Sequence, residues 1–83
     1  MTQDLTIVWQ QNRKTGESEH VALDELGNIV ARGLGDPISS SSDSWLIAEA
    51  LFGDDRKILS VDHDRENVHV RVENRAVAPE AGQ

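Results

Sequence analysis

The chain reads as an α+β two-layer domain with the element order β-β-β-α-β-β, antiparallel strands packed on one short helix. Three observations predict it. Short runs of alternating apolar and polar residues, bounded by Gly, Asn and Asp, read as strands. One run, Ser39–Gly53 (SSSSDSWLIAEALFG), carries helix start and stop signals. The links between strands are short enough to favour hairpins: a three-stranded meander before the helix and a two-stranded one after it.

Leu5–Gln10 is the first expected strand, with Leu5, Ile7 and Trp9 on one face and Thr6, Val8 and Gln10 on the other. Gln11–Ser18 is polar, contains Gly16 and reads as a hairpin loop. Glu19–Leu23 follows, with Val21 and Leu23 expected inward and His20 and Ala22 outward. Asp24–Asn28 is a tight connection, and Ile29–Arg32 the third strand. Gly33–Ile38 (GLGDPI) should end that strand, since Pro37 cannot donate to a ladder.

Four serines and Asp43 precede the apolar run of the helix, and their side-chain oxygens suit an N-cap. Ser42 is the expected cap, Asp43 an acid in the first turn, and Gly53 a left-handed stop. About ten residues give a helix of roughly 15 Å, too short to stand alone. Leu46, Ile47, Ala50 and Leu51 form one stripe, expected to face the sheet. Trp45, Ala48 and Phe52 form a second, to be covered by the Leu34–Ile38 loop, the tail or another chain. After a turn at Asp54–Arg56, Lys57–Val61 is the fourth strand and Asp62–Asn67 another turn. Val68–Glu73 has the cleanest alternation, with Val68, Val70 and Val72 inward. Residues 1–74 are thus expected to form one domain, and 75–83 a disordered tail. The pattern leaves open whether the two hairpin units share one sheet.

Composition narrows the function classes. The chain has 83 residues, no cysteine and a net charge of −7. Thr15–Asp55 holds nine acids and one base, Arg32, so the acidity belongs to the middle of the chain. A direct nucleic-acid binder needs a basic footprint, which this is not. Without cysteine there is neither a disulfide nor a thiolate metal site. Neither a signal peptide nor a membrane span is expected from the apolar runs, and the expected location is cytoplasmic.

Chemical motifs fail on inspection. Asp62, Asp64, Glu66 and Glu73 partly match a calcium loop, but Asn67 stands where the sharp turn needs glycine. His63 and His69 with the neighbouring aspartates lack a convergent third ligand. Gly33 and Gly35 lack the third glycine of a dinucleotide fingerprint, where Ile38 stands. Ser39–Ser44 contains no nucleophile elbow.

The expectation is therefore a small acidic, non-enzymatic protein-binding module without a cofactor, whose partner has a basic surface. In an extreme form it is an inhibitor that imitates nucleic-acid charge. The alternatives are a structural homodimer, joined through the second helix stripe or an edge strand, and a small enzyme or metal-binding protein. The expected contact residues are Trp45, Glu49 and Phe52, with Asp24, Glu25, Asp54 and Asp55 supplying charge.

Overall fold

A computed structural model of the chain describes residues 1–53 and 56–74. The elements are β1 (Thr2–Gln11), β2 (Ser18–Leu23), β3 (Ile29–Leu34), α1 (Ser44–Phe52), β4 (Arg56–Asp64) and β5 (Asn67–Asn74). Their order is the expected one, and every strand pairing is antiparallel. The strands form one sheet in the order β3-β2-β1-β5-β4. The two hairpin units are joined where β1 pairs with β5, Leu5 opposite Val70 and Ile7 opposite Val68.

The strands run longer than the alternation suggested, and the last turn shrinks to Arg65 and Glu66. Arg65 takes φ 53 there, and its carbonyl accepts a hydrogen bond from His63 Nε2 at 2.9 Å. Residues 75–83, expected to be a tail, lie outside the described residues.

Helix α1 packs chiefly on β4 and also on β3, the two edges of the sheet. Consecutive residues show the span. A Cβ on Gly33 of β3 would lie 3.3 Å from Leu51, while the Phe52 ring lies 5.5 Å from the Arg56 guanidinium of β4. The helix approaches both edge strands more closely than central β1 and β2, the reverse of what a flat sheet beneath it would give. The sheet is therefore curled into a trough, and the helix sits in its mouth. Leu5, Ile7, Ala22, Val68, Val70 and Val72 line the trough, and Ile38, Ala48 and Phe52 fill it.

This seating splits both expected helix stripes: Ala48 and Phe52 of one and Ile47 and Leu51 of the other pack on the core, while Trp45, Leu46 and Ala50 face outward. Phe52 is 2% exposed and Ala48 is fully buried, while Leu46 and Ala50 of the stripe expected inward are exposed. Ile47 and Leu51 are half-buried. Apolar residues surround this short helix, so periodicity could not choose between the stripes. Packing chose a face between them, which hides the large phenyl ring with alanine beside it and leaves Trp45 outside. Ile38 joins the same core, so the loop after β3 does supply part of the cover.

Three local expectations are corrected too. The N-cap is Asp43, whose carboxylate accepts from Leu46 N at 3.2 Å; Ser42 instead closes a turn with Ser39. Gly53 stays right-handed (φ −50, ψ −33), because its N–H continues the ladder to Glu49 O at 2.8 Å. In β2 the inward residues are His20 and Ala22: Ala22 pairs with Ile7, so both face the helix. Val21 lies on the convex face yet is only 1% exposed, between its cross-strand partners Val8 and Arg32.

His20 holds the loop that leads to the helix. Its Nε2 donates to the Asp36 carbonyl at 2.7 Å, and its ring occupies the space that a Cβ on Gly35 would need. Gly35→Ala should destabilise by about 1–3 kcal/mol through overpacking. In a His20→Ala background the same change should cost clearly less, which a double-mutant cycle in urea measures. The helix faces yield a second expectation: Phe52→Ala costs about 3–5 kcal/mol. Leu46→Ala should stay within about 0.5 kcal/mol of the parent in the same assay.

Candidate functional site

The outward face of α1 is built by its cap. Asp43 has extended backbone and caps the first turn, so Trp45 and Leu46 emerge at the start of the helix. Trp45 is 46% exposed and Leu46 62%, and Glu49 and Ala50 continue the surface by one turn. Trp45 and Glu49 are i,i+4 neighbours on this face. Exposed Leu34 of β3 lies on the other side of the sheet, opposite Glu19, and is not part of this surface. From Gly33 to Gly53 the chain carries Asp36, Asp43 and Glu49 and neither lysine nor arginine. The helix layer is therefore acidic around an apolar centre.

The other expected contact residues fare differently. Phe52 cannot touch a partner, because it fills the core between Ala48 and the sheet. Asp24 is committed to the β2–β3 turn: one carboxylate oxygen accepts from Leu26 N and Asn28 N, each at 2.9 Å. Glu25 is exposed in that same turn, not on the helix. Asp54 and Asp55 lie outside the described residues. Leu46, assigned inward from periodicity, is the surface residue that sequence reasoning missed.

Two further polar groupings lie on the convex face. Glu19 is 5% exposed and accepts from Gln10 Nε2 at 2.7 Å and Asn12 Nδ2 at 3.2 Å, with Arg32 at 3.8 Å. These donors hold its carboxyl below the ordinary glutamate value, the Gln10 hydrogen bond contributing most. The β1–β2 register that opposes Gln10 to Glu19 is the signal that could have revealed it. Toward the other end of β1, Arg71 grips Asp4 directly across the β1–β5 pair at 2.9 Å, lowering the aspartate pKa through that hydrogen bond.

The second grouping is a row of hydroxyl, imidazole and carboxylate. Thr6 Oγ1 lies 3.3 Å from His69 Nδ1, and His69 Nε2 lies 3.9 Å from Asp64. Nucleophilic catalysis would also need free N–H donors to hold an oxyanion. Thr6 is paired on both sides, with Leu23 and with His69, so the ladders claim the backbone around it. Among the described residues no group of three or more His, Asp or Glu is placed to hold a metal ion. None of the described helices is long and apolar enough to cross a membrane.

No family model, curated protein or solved structure matches this chain.

Asp4, Glu19 and Asp24 all have lowered pKa values, the last chiefly through the Asn28 backbone N–H. Each therefore contributes stability above its unfolded pKa, and loses it as pH falls through its depressed folded value. Thermal melts should be flat near neutrality and begin to fall below 4.5, the ordinary glutamate value, and further below 3.8, that of aspartate. Glu19→Gln should flatten the upper part of that acid limb.

Proposed function

We propose that the protein is a non-enzymatic binding module that docks a basic protein surface through the outward face of α1. The observation that carries this reading is the pair Trp45 and Leu46, left exposed on a helix whose opposite face is fully used. A tryptophan flanked by leucine gives a docking anchor, and the acidic helix layer favours a cationic rim on the partner. Glu49 is the carboxylate placed to meet it.

The stronger claim, that the acids imitate nucleic-acid phosphates, draws less support. Asp4 and Glu19 are ion-paired, Asp24 closes a turn and Asp43 caps the helix. Their charges are spent on the fold. A homodimer through an edge strand would leave Trp45 and Leu46 without a partner, so this surface does not favour it.

The test compares the parent with a Trp45→Ala/Leu46→Asp variant, first by thermal melt and then by affinity capture from lysate. The variant should melt like the parent but lose a captured partner, and that capture should weaken with added salt. A salt-resistant dimer of the purified protein, broken by the same substitutions, would instead assign the surface to self-association.

A further inference from the structure

A second surface, away from the helix face, has the features of a recognition site. Strand β1 outruns its neighbour: it pairs with β5 from Thr2 to Ile7, but with β2 as far as Gln11. Continuing the β1–β5 register places Asn67 opposite Val8 and Glu66 opposite Trp9. There the chain has already turned into β4 through Arg65.

A cleft of about 310 Å³ opens in that corner, lined by Val8, Trp9, Pro37, Ile38, Glu66 and Asn67. Such a volume is at the small end for ligand sites, enough for a side chain and its backbone. Ile38 is buried, whereas Trp9 is 36% exposed. Glu66 is exposed and makes no ion pair or hydrogen bond among the described residues. The described cation–π contact is Arg56 on Phe52, so no described cation of the chain sits on Trp9. On this flank, no hydrogen bond from a loop reaches the backbone of Val8–Gln11 among the described residues.

The geometry points to a site for a basic residue presented by an extended segment of a partner protein. The segment pairs with the free flank of β1 beside Val8–Gln11. Its arginine or lysine enters the cleft, stacks on the Trp9 indole and meets the Glu66 carboxylate. Three chemistries agree on this occupant. An open strand flank accepts an extended backbone. Tryptophan is the best aromatic face for a cation. An unpaired carboxylate across from it selects positive charge over neutral or acidic side chains. The inference is independent of the helix surface, because it uses neither Trp45 nor Leu46.

The probe is a blocked hexapeptide of alternating arginine and threonine, with a glutamate–threonine counterpart and arginine amide as controls. Binding is read from Trp9 fluorescence in a Trp45→Phe background and from amide shifts of Val8–Gln11 by NMR. The arginine peptide should bind at least about tenfold more tightly than either control, and should shift those amides. Glu66→Gln, an exposed change at the turn, should weaken it about tenfold while leaving the melting temperature unchanged. The inference is overturned if the two peptides bind alike, if Glu66→Gln has no effect, or if arginine amide binds as tightly as the peptide. Loss of helix-face binding in the Trp45→Ala/Leu46→Asp variant, with peptide binding intact, would separate the two surfaces.

Discussion

The fold depends on one pairing, the antiparallel ladder between β1 and β5. It brings residues 2–7 against residues 68–73, so almost the whole chain is enclosed between its two sides. Each of β1 and β5 then carries one further hairpin partner, which makes a single sheet of two local hairpin units. Closing so long a loop costs chain entropy before any contact rewards it. The reward is concentrated at the same place: Leu5 and Ile7 meet Val70 and Val68 on the helix side, all nearly inaccessible to water. Across the other face of the ladder, Asp4 meets Arg71 and Thr6 meets His69, a polar surface that needs no second layer.

Curling follows from what the chain has available to cover that core. One nine-residue helix is about 13.5 Å long and cannot roof a flat five-stranded sheet. Bending the sheet into a trough makes the single helix sufficient, and places both edge strands against it. The same seating leaves the outward face of the helix exposed, with Trp45, Leu46, Glu49 and Ala50 on it. Exposure of large apolar side chains there is thus a by-product of the helix being alone.

Charge is distributed by structural demand more than by composition. The sequence places the acidity in the middle of the chain and leaves open whether it forms one patch. Glu19 is enclosed by amide and guanidinium donors, Asp24 is enclosed by its turn, and Asp43 is spent on the helix start. Carboxylates held this way define turns, caps and registers before they define a partner. Among the acids left unpaired in the described residues, Glu49 on the helix and Glu66 at the hairpin tip each stand near an exposed tryptophan.

Local chemistry made much of this legible from residue order alone. The β-β-β-α-β-β succession followed from alternation and turn residues, and the inward valines of β5 from their period of two. The helix itself was legible from its start signals and apolar run, but spacing grouped Trp45 with Ala48 and Phe52, which the fold buries. Everything that required two distant segments to meet was decided by tertiary structure. Whether the hairpins share a sheet, which helix stripe is buried and which face of β2 is inward all depend on cross-strand register and on volume to be filled. The Phe52 ring fits the trough, and the Ile7–Ala22 pairing turns His20 inward and Val21 out. The cleft beside Trp9 belongs to the same class: it exists only because β5 turns back two residues short of it. Periodicity reports that a helix or strand has faces, while only packing, which must close a single volume without voids, selects between faces of nearly equal hydrophobicity.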